Sequence, residues 1–86
     1  MPPADLLTYI RQRPFIPFRI HLTDGKTYDI AHPEMVMPGI VSAVIGVPVS
    51  PAEPLYGRTE TVALRHIVRL VPLDGQVSSN NGEAAA

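Results

Sequence analysis

The chain has no cysteine and no tryptophan, only two phenylalanines and three tyrosines, and no apolar stretch longer than Ile40 to Val47. Each absence excludes something. Without cysteine, neither a disulfide framework nor a thiolate zinc site can staple a small fold, and the redox compartment is left unmarked. The apolar stretch is far short of the roughly 20 residues that a membrane-spanning helix needs. A dominant charge is missing too: seven basic residues face eight acidic ones, and without Asp74 and Glu83 the balance is seven against six. No electrostatic footprint for nucleic acid follows. Pro2, Pro3 and Asp5 stand where a secretory signal would carry a basic region, so a cytoplasmic chain with no membrane partner is expected.

What the chain does have is proline. Ten prolines in 86 residues are more than twice the average usage of about 5%, and they predict short elements and rigid loops. From Asp74 onward, DGQVSSNNGEAAA is polar, small and without periodicity, which reads as a disordered tail over residues 74–86. Residues 1–73 then make one domain. A domain of that size buries only about 60% of its unfolded surface, so with no covalent staple self-association is an expected source of stability.

Near the N-terminus, ADLLTYIRQR sets Leu6, Leu7 and Ile10 on one face at helical spacing, with Asp5 at the start. About two turns of helix fit, and Pro14 is the expected stop because it disfavours helical backbone at Arg13. Pro17 keeps Ile16 extended and leads into a strand in which Phe18, Ile20 and Leu22 alternate with Arg19 and His21. Tyr28 and Ile30 alternate beyond Asp24-Gly25, so the two runs read as a hairpin.

The loop length decides the register. A two-residue loop of Asp24 and Gly25 sets Ile20 opposite Asp29 and Arg19 opposite Ile30, which mixes apolar and charged groups on each face. A three-residue loop of Thr23, Asp24 and Gly25, with Gly25 left-handed in a bulge, sets Ile20 opposite Tyr28, Phe18 opposite Ile30 and Arg19 opposite Asp29. Only the second separates core from solvent, because a one-residue slip exchanges the faces.

His32-Pro33-Glu34-Met35 reads as a tight turn or one helical turn with Pro33 first, and Met37-Pro38-Gly39 as a second break. IVSAVIGV (residues 40–47) is a strand that is apolar or small on both faces, so both are expected to be covered. PVSPAEPLYG (48–57), with three prolines, reads as a stiff loop, and Thr59 to Leu64 as a further strand. Residues 65–73 fit either a helix with Leu64, Ile67, Val68 and Val71 in one stripe or a bend plus a strand with Val68 and Leu70 inward. The bend plus strand is preferred, because a last strand can close the sheet and remove exposed edges.

The expected fold class is therefore mainly β with a short N-terminal α-helix: a small five-stranded, strongly bent antiparallel sheet or an SH3/Sm-like barrel. The element order resembles the Sm-like and SH3-like small barrels, although the Asp followed by Met-Asn and the Arg-Gly or Lys-Gly pair of the Sm signature do not occur. A closer resemblance lies in PFIPFRIHLTDG (Pro14 to Gly25) followed by His32-Pro33-Glu34. The pattern Pro-Phe-x-Pro-Phe-x-Ile-x-Leu-x-Asp-Gly, then His-Pro and an acidic residue, is similar to that of short, functionally uncharacterised bacterial proteins. It marks a family and implies no activity.

No catalytic or metal-binding residues stand out. His21, His32 and His66 match no ligand spacing, and Asp29, His32 and Ser42 would have to meet in a cleft that so small a domain hardly offers. No cofactor and no small-molecule substrate is indicated. Ile40, Val44, Tyr56, Ile67 and Val71 are the candidate interaction surface, on the ground that the strands carry more apolar groups than one core can cover. The expected function is a non-catalytic assembly or protein-interaction module whose partner is another copy or another protein. The alternative is an Sm-like nucleic-acid-binding regulator using Arg19, Lys26, Arg58 and Arg65, with Tyr28 and Tyr56 as stacking platforms.

Overall fold

A computed structural model describes residues 1–50 and 55–73. Helix α1 (Pro3–Ile10) is followed by strands β1 (Phe18–Leu22), β2 (Thr27–Ile30), β3 (Val36–Pro38), β4 (Ser42–Pro48), β5 (Tyr56–Ala63) and β6 (Ile67–Pro72). The strands form two antiparallel sheets of three, ordered β2-β1-β6 and β3-β4-β5. The expected tail at 74–86 and the middle of the proline-rich loop, 51–54, lie outside the described residues.

The β1–β2 hairpin has the three-residue register: Phe18 faces Ile30, Arg19 faces Asp29 and Ile20 faces Tyr28. Gly25 stands at φ +90°. Its N–H donates to the Leu22 carbonyl (3.0 Å), and the Leu22 N–H donates to the Lys26 carbonyl (2.9 Å). The Asp24 side chain accepts from the Lys26 N–H (2.9 Å), so the loop residues supply their own closure.

A single five-stranded sheet and a closed barrel are both overturned. The reason begins at Pro33, which opens a 3₁₀ turn over Pro33–Met35. Proline lacks the N–H that would extend the ladder of β2, so the chain leaves the first sheet at Ile30 and re-enters extended backbone as β3, now paired with β4. β3 is the unexpected sixth strand, three residues long and ended by Pro38. A second 3₁₀ turn over Leu64–His66 carries the chain from β5 back to the first sheet. Among the described residues β5 and β6 each pair on one side only, and the two sheets do not close into a barrel.

The core lies between the sheets. Phe18, Ile20, Leu22, Ile30 and Ile67 come from one, Val36, Ala43, Ile45 and Val62 from the other, with Leu6, Met35 and Leu64 from the helix and turns. Helix α1 starts earlier than Asp5: Pro2 is the extended cap residue and Pro3 the first helical one, where the missing N–H costs nothing and φ is preset. Leu6 is fully buried, and Tyr9 rather than Leu7 completes the contact, its ring edge-on to Phe18 at 5.3 Å. Phe15 packs on Phe18 from another side at 6.0 Å. The helix stops at Ile10, with the Arg13 guanidinium donating to the carbonyls of Ile10 (3.0 Å) and Gln12 (2.7 Å).

Candidate interaction surface

Among the described residues β5 is the longest strand, and β4 is its only neighbour in the sheet. From Tyr56 to Thr59 it is exposed, and Val62 is its buried anchor. Near its start the ladder jumps from Val47–Arg58 to Pro48–Tyr56, so Gly57 is an extra, bulged residue. The bulge lays the Tyr56 ring on the backbone of Gly46, where an added Cβ would meet ring carbons at 3.0–3.2 Å. Glycine at 46 is thus a requirement of space, and it lets a tyrosine 43% exposed lie flat on the sheet.

Two residues further along, Arg58 and Glu60 share a face. The Arg58 Nε donates to Glu60 Oε2 (2.7 Å), and the Tyr28 hydroxyl, from β2 in the other sheet, donates to Glu60 Oε1. That bond is the main reason the Tyr28 hydroxyl is pushed up to about 12, with burial adding to it. The same bond, with Arg58 second, holds the Glu60 carboxyl below its usual range. Arg58, Glu60 and Tyr28 therefore tie one edge of each sheet together.

Beside them, β2, the 3₁₀ turn after it and the β4–β5 ends enclose an open groove of about 740 Å³, walled by Tyr28, His32, Met35, Val47, Pro48 and Tyr56. Asp29 and His32 both border it, and Ser42 does not. Among the described residues no group of three His, Asp or Glu side chains is arranged to hold a metal ion. The one hydroxyl–imidazole contact among them, Thr23 Oγ1 to His66 Nδ1 at 3.2 Å, is exposed and does not border the groove.

The structure treats the candidate surface residues differently. Ile40 is 85% exposed in the β3–β4 connection beside exposed Met37 and Val41. Val44 is half-buried, opposite Met37 on one side and Thr61 on the other. Val71 is half-buried next to Arg19 on the outer face of the first sheet. Ile67 is a correction: it is 4% exposed and belongs to the core. Leu22 pairs with Ile67 and His21 with Arg69, so Val68 is a bulged residue between them. One extra residue lets Ile67 and Leu70, three apart, both turn inward, and it leaves Val68 57% exposed where sequence alternation placed it inside. Val68, Met37, Val41, Val49 and Leu55 are exposed apolar groups outside the candidate set; the only signal for Met37 and Val41 was the neighbouring Pro38-Gly39 turn, and for Val49 and Leu55 the proline-rich stretch around them.

The basic candidates do not form one surface. Arg19 is held by Asp29 on the first sheet (2.6 and 3.0 Å) and Arg58 by Glu60 on the second. Lys26 is exposed at the hairpin tip and Arg65 in the second 3₁₀ turn. His21 lies among charges of both signs: burial first, then Arg69 and Arg19, pushes its imidazole below the usual range, against a smaller opposing pull from Asp29. Of the two platform tyrosines, Tyr28 has its hydroxyl committed to Glu60.

Fold and surface together define a small two-sheet antiparallel β protein with one docked helix. Comparison with family models, with curated proteins and with solved structures finds no match to the chain. Among the described residues no helix is long and apolar enough to cross a membrane.

Proposed function

We propose that the protein is a non-catalytic assembly module that joins another copy of itself, or another protein, through a sheet edge. The observation that carries this reading is β5: eight residues with one edge unpaired among the described residues, beginning at exposed Tyr56 and flanked by exposed Val49 and Leu55. An unpaired strand edge offers a row of backbone donors and acceptors, and a chain that keeps one long and uncovered has a ready route to strand addition. Glycine at 46 and 57 and tyrosine at 56 shape an apolar shelf at one end of that edge.

The test is solution mass by light scattering across a hundredfold dilution, together with affinity capture from the native cell. Assembly or a reproducible stoichiometric partner is the expected outcome. A constant monomer mass with no such partner would overturn it. A second reading, an Sm-like nucleic-acid binder, draws on Arg19, His21 and Arg69 lying near one another on the outer face of the first sheet. Retention on an RNA column that is lost with rising salt would favour it over assembly.

A further inference from the structure

We infer that the partner of β5 is the β5 strand of a second copy, paired antiparallel with Thr59 on the two-fold axis. This rests on the assembly reading above and gives it an occupant and a register. The argument is the charge order along the edge, Arg58-Thr59-Glu60. Residues facing each other across a symmetric antiparallel pair have positions that add to a constant. The sum must be even, because the backbone groups of β5 that point away from β4 recur at every second residue and must meet others of the same kind.

Three even registers centre on this stretch. Centring on Arg58 sets two arginines face to face, and centring on Glu60 sets two glutamates face to face; like charges directly opposite are destabilising. Centring on Thr59 sets Arg58 opposite the partner's Glu60 and Glu60 opposite the partner's Arg58. Each copy's own Arg58–Glu60 ion pair then meets its mirror in reverse order, and four charges alternate in sign. Gly57, the bulged residue without a side chain, falls opposite the partner's Thr61, so the bulge makes no clash. The result is an isologous, closed contact in which the sheet β3-β4-β5 continues across the axis into its copy.

The chain has no native cysteine, which makes the register directly readable. Facing Cα atoms in an antiparallel pair lie about 4.5–5.5 Å apart, inside the range a disulfide spans. The full-length Thr59→Cys chain is therefore expected to form a disulfide-linked dimer of twice 9.3 kDa under mild oxidation. Thr61→Cys is the control, since the two introduced thiols would sit four residues out of step, roughly 13 Å apart along the strand, and should not bridge. Equal bridging by both variants, or none by Thr59→Cys while the native chain is dimeric, overturns the register and leaves assembly standing; a native chain monomeric at every concentration, with no partner captured, overturns assembly itself.

Charge exchange gives the second arm. Arg58→Glu alone and Glu60→Arg alone each put like charges across the axis and should weaken the dimer on the order of tenfold. Mixed in equal amounts they should form a heterodimer, because every facing pair is again opposite in sign. If β6 of another copy, or residues 74–86 of the same chain, covered the edge instead, mixing would restore nothing, and that result overturns the inference.

Discussion

Gly25 and Gly46 are both required as glycine, for opposite reasons. Around Gly25 an added Cβ meets nothing within 4 Å, but φ is +90°; a side chain there fits the space and not the backbone. Gly25→Val should cost about 1–2 kcal/mol, read from urea unfolding, with the hairpin register kept. At Gly46 the backbone is ordinary and the Tyr56 ring occupies the space. Tyr28 offers a pH signature at the same scale. Its hydroxyl is held up to about 12 against an ordinary 10.0, so between those values the folded chain keeps a proton that the unfolded chain releases. Stability should accordingly fall as pH rises through that window. Glu60 works in the other direction: its carboxyl is held low, and its contribution is present above the usual carboxylate range and lost as pH falls through the lowered value. Glu60→Gln should bring the Tyr28 midpoint down toward 10, measured by NMR on the assigned ring; a midpoint that stays put would show that burial and not the carboxylate sets it.

At the level of elements, two features depend on packing. Helix α1 is two turns long and would be marginal in water alone; Leu6, fully buried, and Tyr9 on Phe18 hold it against the core. Leu6→Ala should cost about 2–5 kcal/mol by chemical denaturation. Thr8→Ala, on the exposed face of the same helix, should stay within about 0.5 kcal/mol. The bulge in β6 makes a sharper contrast between neighbours. Ile67→Asp puts an unpaired carboxylate into the core and should abolish cooperative unfolding, while Val68→Asp, on the bulged residue, should change stability by no more than about 0.5 kcal/mol. Equal damage from both would mean that β6 carries regular alternation and no bulge.

For the whole molecule, the division into two sheets determines what remains exposed. Because the Pro33 turn and the Leu64–His66 turn each move the chain from one sheet to the other, β5 and β6 finish as open edges among the described residues. Among the described residues, the core side chains and those packed against them lie between Met1 and Leu70, and the Leu73 N–H still bonds the Pro17 carbonyl (2.7 Å). A chain ended after Leu73 should therefore melt at the native temperature by calorimetry, and a drop of several degrees would assign residues 74–86 a part in the fold.

The sequence by itself determined what is local. Alternation on both sides of Asp24-Gly25 selects one hairpin register, since the other would bury charge, and Pro33 at the head of His-Pro-Glu-Met dictates a turn. That Ile40 and Tyr56 belong to a surplus of apolar groups was legible from composition, but their exposure was not, since a strand over 40–47 was expected to be covered on both faces and Ile40 instead stands 85% exposed ahead of β4. Tertiary structure alone decided whatever depends on a partner distant in the chain. Val68 bulges because β6 must match β1, some 46 residues earlier, and that one extra residue moved Ile67 from the surface to the core. Glu60 becomes an anchor only when Tyr28, 32 residues away, reaches it from the other sheet. Neither pairing leaves a trace in local periodicity, because periodicity records which way a residue faces its own strand and not which strand it meets.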